Sequence, residues 1–338
     1  MRKLLVSFIT AVTVLTNSVS SYAAVALPNQ FVDIDNHWAE AELTEMIQLD
    51  ILSGYAENGK YFAKPNKPIT RVEFAALMAK TLRLEATSQQ PDFADWQQIP
   101  AWAKGAVASL SANGIINGVP GSDGRTYFQP HKNITRAEIA AMIMNAVQSP
   151  PQPPYDANFK DVPLNKWYAT SVLQAKKAGI IGGRTATTFE PNRNATRAEV
   201  LVILNRFLKT DSTATPTDGQ LQNVIDGYLA DLETVMQRDN KLTELTHYTT
   251  GGATLSLKNG GLGAVEDSPT SLNISSISRI GGFDVKFKNN HLATVVVKVK
   301  YTLNQANSQQ QNITVTERFG LTNIKGAWKI YKVDVLDY

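Results

Sequence analysis

The chain has 338 residues, 33 basic against 30 acidic, four histidines and no cysteine. That length exceeds what a single core usually fills, so at least two folding units are expected. The charge balance holds in both parts of the chain and excludes a basic nucleic-acid binder, while the missing cysteines exclude disulfides, thiolate metal sites and a lipid-modified amino terminus.

Met1-Arg2-Lys3, an apolar run from Leu4 to Leu15 and small residues around Ala23 to Ala26 form the pattern of a cleaved secretory signal over 1–26. The run is too short for a membrane span, and no later segment reaches the ~20 apolar residues that one needs. A secreted mature protein without a transmembrane segment is expected. The histidines, spread from His37 to His291, lack metal-ligand spacing, so neither a metal nor a cofactor is expected.

One pattern then occurs three times, over 27–88, 89–149 and 155–210. Each unit opens with Phe-x-Asp (Phe31/Asp33, Phe93/Asp95, Phe159/Asp161), followed by a tryptophan (Trp38, Trp102, Trp167) and a helix-like stretch. An apolar pair and a glycine end that stretch, and Gly54, Gly118 and Gly183 lie 64 and 65 residues apart. A phenylalanine near a proline follows, then Thr70-Arg71-Val72-Glu73, Thr135-Arg136-Ala137-Glu138 or Thr196-Arg197-Ala198-Glu199 before an apolar helix. Threonine at the N-cap with glutamate three residues on is a capping box. It leaves the arginine unexplained, because a cation in the first helical turn opposes the macrodipole at a few tenths of a kcal/mol. A helix N-terminus beside a guanidinium suits a carboxylate or phosphate, so an anionic ligand is expected. Inter-unit salt bridges are the competing reading of these arginines. For Asp33, Asp95 and Asp161 the alternatives are turns or helix caps against sugar contact.

These residues resemble the S-layer homology family, whose hallmark is a Thr-Arg-Ala-Glu motif in three copies. The resemblance covers roughly 29–209. It implies a mainly helical pseudo-threefold trimer of modules, with grooves between modules that hold acidic, often pyruvylated, cell-wall polysaccharide linked to peptidoglycan. It places Arg71, Arg136 and Arg197 on the acid group and Trp38, Trp102 and Trp167 in the groove. An indole can stack on a sugar ring, and core packing is its other reading. Val72 departs from the motif, and only the first unit has an aromatic after its glycine, Tyr55. The grooves are therefore not expected to be equal.

Ser149-Pro150-Pro151-Gln152-Pro153-Pro154 reads as a stiff spacer over 150–154, and 211–218 as a linker. From Gly219 to Arg238 the apolar spacing is that of an amphipathic helix, and a second short helix is expected to include Leu242 and Leu245. Period-two strands follow at Val295–Tyr301, Ile313–Phe319 and Trp328–Val333, the last two joined by a hairpin at Lys325-Gly326. Helix first and then long antiparallel strands resemble the NTF2-like α+β cone over 219–338. No nucleophile and base stand together there: His247, Asp226, Asp231 and Asp239 fit solvated helix faces. The reading is a non-catalytic anchoring protein on the cell envelope, presenting a C-terminal domain for a small ligand, a protein partner or a second copy. A wall-targeted enzyme is the alternative, and too few strands remain for a typical porin barrel.

Overall fold

The computed structural model describes residues 31–155, 159–211, 214–238, 241–258, 274–304 and 309–337. The expected signal over 1–26 and Asp239 lie outside them. No helix among the described residues is long and apolar enough to cross a membrane.

Each unit pairs an outer helix with an inner one. The outer helices are α1 (Glu40–Gln48), α3 (Ala101–Ala112) and α5 (Ala169–Lys177). The inner ones are α2 (Arg71–Thr81), α4 (Arg136–Ala146) and α6 (Arg197–Thr210). Small hairpins separate them in the first two units: β1 (Tyr55–Glu57) with β2 (Lys60–Phe62), and β3 (Val119–Pro120) with β4 (Thr126–Tyr127). All three inner helices begin at a complete capping box. They are apolar on nearly every face and so must lie inside, where Phe74, Ile139, Ile143, Leu201 and Leu204 share one core.

The units are joined cyclically. Each inner helix packs on the next outer one, α2 on α3 and α4 on α5, and α6 returns to α1. Three backbone bonds close a triangle: Ile69 N–H to Ala195 O at 3.1 Å, Ala195 to Ile134 at 3.0 Å, and Ile134 to Ile69 at 3.0 Å. The spacer is less free than expected, because Lys177 Nζ donates to the carbonyls of Gln152 and Pro154.

The C-terminal domain contains α7 (Asp218–Arg238), a 3₁₀ turn (Leu242–His247) and α8 (Gly251–Lys258). Its antiparallel sheet runs in the order β5 (Ile274–Lys288), β6 (Leu292–Asn304), β7 (Gln310–Ile324), β8 (Ala327–Asp337). Helix α7 lies across it, burying Leu221, Ile225 and Leu229 in the same core as Val295, Val297 and Phe319. The two-residue turn between β7 and β8 has φ of 54° at Lys325 and 88° at Gly326, which fits the twist of a hairpin. Strand β5 and helix α8 were not expected from the sequence. The ladder of β5 slips at Gly281-Gly282, where no side-chain pattern survives, and β5 is an edge strand with mostly half-exposed or exposed residues.

This domain is bonded to the repeats. Glu45 on α1 accepts from Asn205 Nδ2 (2.9 Å), Lys209 Nζ (2.6 Å) and the buried Tyr331 hydroxyl of β8 (3.0 Å). Asn289 donates to the Leu208 carbonyl at 2.7 Å. Glu45→Ala strands the Tyr331 and Asn205 donors and is expected to cost about 1–3 kcal/mol. Calorimetry should then show the C-terminal domain melting ahead of the repeats; a single unchanged transition would refute the coupling.

Candidate functional site

The repeated residues meet at the junctions between units. Each Phe-x-Asp aspartate holds a loop shut with both carboxylate oxygens. Asp33 accepts from Ala63 N (2.7 Å) and Lys64 N (2.7 Å), Asp95 from Phe128 N (2.8 Å) and Gln129 N (2.7 Å), and Asp161 from Phe189 N (2.8 Å) and Glu190 N (2.7 Å). The second residue of each pair is held at positive φ: 50° at Lys64, 59° at Gln129 and 61° at Glu190. That backbone state is unfavourable for a side-chain-bearing residue, and the carboxylate stabilises it. These aspartates therefore hold turns, the first of their two readings. Gly54, Gly118 and Gly183 are half-buried against the opening phenylalanine of each unit. A Cβ there would lie 2.3, 2.9 and 2.6 Å from Cε1 of Phe31, Phe93 and Phe159, so the glycine lets the chain cross that ring.

The arginines reach across the junction onto the loop so clamped. Arg71 Nε donates to Phe128 O (2.7 Å), Arg136 Nε to Phe189 O (2.9 Å) and Arg197 Nε to Ala63 O (2.8 Å). They are 2, 5 and 4% exposed. The helix ends behind them are not open either. The first two N–H groups of α2 go to the carbonyls of Lys132 and Pro130, those of α4 to Arg193 and Pro191, and those of α6 to Lys67 and Pro65. A free helix N-terminus receiving an anion is thus excluded, because the next unit has satisfied its donors.

The remaining guanidinium bonds distinguish the junctions. Arg71 also meets Glu138 at 3.2 Å, and Arg136 Nη2 donates to Gly182 O at 2.7 Å. Arg197 has no further hydrogen-bond partner among the described residues and lies 4.7 Å from the ring centre of Tyr55. Burial, and then the Glu73 carboxylate that accepts from its hydroxyl at 2.5 Å, push Tyr55 up to about 12, against the opposing charge of Arg197. Burial lowers the affinity of Arg71 and Arg136 for their protons, yet both guanidiniums remain charged in water near neutrality.

Trp38, Trp102 and Trp167 stand at the starts of the outer helices, exposed at 64, 64 and 68%. Core packing is excluded for all three. Among the described residues no ring contact joins them to the motif arginines, so the structure does not bring the two predicted sets together.

The S-layer homology domain model matches residues 30–75, 92–140 and 158–201. The chain carries three S-layer homology domains. Relatives share this part. The surface-layer 125 kDa protein of Lysinibacillus sphaericus is 38% identical over 130 residues, 38% of this chain and 10% of that one. The amylopullulanase of Thermoanaerobacterium thermosulfurigenes is 30% identical over 195 residues, 56% of this chain and 10% of the enzyme. The cellulosome-anchoring protein of Acetivibrio thermocellus is 32% identical over 136 residues, 39% of this chain and 29% of that protein. The chain thus spans about a tenth of the first two relatives.

The junctions between the S-layer homology domains contain a second repeated cation that sequence reasoning missed. Lys67, Lys132 and Arg193 each precede the motif threonine by three residues and pair with the motif glutamate, Glu73 at 3.7 Å, Glu138 at 3.2 Å and Glu199 at 2.9 Å. Their side chains are only partly buried, and Arg184 joins Glu199 at 3.2 Å. The signal was available, since a base stands at that offset in every unit. Burial pushes each glutamate up, but the capping bonds and these cations hold all three below the usual carboxylate range.

Proposed function

We propose that this chain is a secreted, non-catalytic protein that attaches to the cell envelope by binding acidic cell-wall polysaccharide at the junctions of a pseudo-threefold trimer of S-layer homology domains. The observation that carries this reading is a half-exposed cation, Lys67, Lys132 or Arg193, repeated at the rim of every junction three residues before the motif threonine. Behind each of them a buried motif arginine holds the loop, and at the second junction Arg184 adds a further exposed cation beside Glu199. Lys67, Lys132 and Arg193 receive the acid groups, the motif arginines fix the loops that bear them, and the exposed indoles stack on neighbouring sugar rings. The junction of Arg197 and Tyr55 is the strongest of the three, because its guanidinium is the least committed. Among the relatives, a surface-layer protein and a cellulosome-anchoring protein carry matching segments, which supports attachment.

The C-terminal domain, in this reading, is an NTF2-like cone held rigidly by Glu45 and displayed by the anchor. Its candidate catalytic groups favour a non-catalytic role. Asp226 is bound at both oxygens by Arg279, and His247 meets Asp231 at 3.5 Å on an exposed face.

Sedimentation with purified peptidoglycan-polysaccharide sacculi tests the anchor. The triple variant Lys67→Gln, Lys132→Gln, Arg193→Gln should bind at least about tenfold more weakly and lose its salt dependence. Trp38, Trp102 and Trp167 changed together to Ala should bind weakly while unfolding within about 1 kcal/mol of the wild type, because exposed side chains stabilise little. Equal sedimentation of all three proteins would overturn the reading.

A further inference from the structure

The C-terminal domain contains a buried acid that anchoring does not use. Glu317, on β7, is 3% exposed, and its Oε1 accepts a 2.6 Å bond from the Tyr301 hydroxyl. Its other oxygen has no hydrogen-bond partner among the described residues. Beside it, between the sheet and helices α7 and α8, is a cavity of about 70 Å³, room for several water molecules or a short alkyl chain. The walls include Leu232, Leu257 and Val333, and the polar atoms come from Glu317, Tyr301, Tyr228, Thr249 and Ser256. No lysine, arginine or histidine is among the lining residues. The Tyr228 side chain is more than nine-tenths buried, and its hydroxyl also lacks a partner among the described residues.

These atoms select by elimination. An anion would meet an uncompensated carboxyl group. A purely apolar guest would leave the free Glu317 oxygen and the Tyr228 hydroxyl unpaired, which is costly at a buried site. A small ammonium group supplies the missing charge and three donors, while the leucine and valine walls accept its alkyl stem.

We infer that this cavity binds a short primary ammonium compound, with Glu317 as its counter-ion, the Tyr228 and Tyr301 hydroxyl oxygens as further acceptors, and the apolar walls around a stem of a few carbons. Ion pairing requires the ionised carboxyl. Burial pushes Glu317 up to about 7, against the Tyr301 bond that lowers it, so binding below neutrality releases a proton and tightens as pH rises.

The test is calorimetric titration of the full chain with n-propylammonium, 1-propanol and propionate at fixed ionic strength. Propylammonium should bind most tightly, with affinity rising about tenfold between pH 6 and pH 8. Glu317→Gln, close in shape, should weaken it at least about tenfold and remove the pH dependence, and Tyr228→Phe should weaken it about threefold. Equal affinity for propanol or propionate, no binding in the series, or unchanged propylammonium binding by Glu317→Gln would overturn the proposal. Should Glu317→Gln fail to fold, the ligand series and pH profile of the wild type decide the matter alone.

Discussion

Arg71→Ala is expected to lose about 3–5 kcal/mol of folding stability, the range for breaking a buried ion pair by removing one partner. The guanidinium is almost wholly enclosed, donates to the Phe128 carbonyl and faces Glu138, whose own side chain is buried. Truncation leaves that carbonyl unpaired and Glu138 with Lys132, at the exposed rim, as its remaining cation. Arg71→Met keeps most of the volume and should cost less than the alanine change. Urea denaturation monitored on the helical signal measures both. A cost below about 1 kcal/mol for Arg71→Ala would show that the arginine is not a bolt between units.

The stability of the C-terminal domain should fall by about 3 kcal/mol as pH rises from 4.5 to beyond 7. Glu317 titrates near 7 when folded, against an ordinary 4.5, because burial outweighs the Tyr301 bond. Between those values the folded state holds a proton that the unfolded chain has released, so stability falls with pH. Below 4.5 the contribution is intact, and above about 7 it is fully lost. The groups facing the carboxyl are the Tyr228 and Tyr301 hydroxyls, both pushed up by burial, and neither ionises in this window. Glu317→Gln should flatten the slope, which thermal denaturation across pH 5 to 8 can read. Parallel profiles for the two proteins would mean that the carboxyl is solvated after all.

Much of this structure is written locally and is therefore legible in the sequence. The capping boxes at Thr70, Thr135 and Thr196, the amphipathic α7 and the Lys325-Gly326 turn depend on neighbours a few residues away. What failed was anything decided at a distance. The helix ends behind the arginines read as open to an anion, because the sequence does not show the carbonyls of the next unit that cover them. The loops that the aspartates clamp were not legible because those targets lie far along the chain, 30 and 31 residues on in the first unit. Glu317 stands in phase with Ile313, Val315 and Phe319, so the alternation already puts it on the inner face, but only the docking of α7 and α8 shows what encloses it. Lys67, Lys132 and Arg193 are a different kind of miss, since their spacing was visible and passed over in favour of the motif itself.

The cyclic joining of the units has a consequence for how such a chain can change. Arg197 reaches back to Ala63 across 134 residues, so the first loop is completed by the last helix of the repeats. An open stack of repeats tolerates gain or loss of a member at either end, because each contacts only its neighbours in sequence. Here two members would leave a gap and a fourth would find no opening. Copy number is fixed by closure, and what the fold leaves free to change is the side chains on the rim.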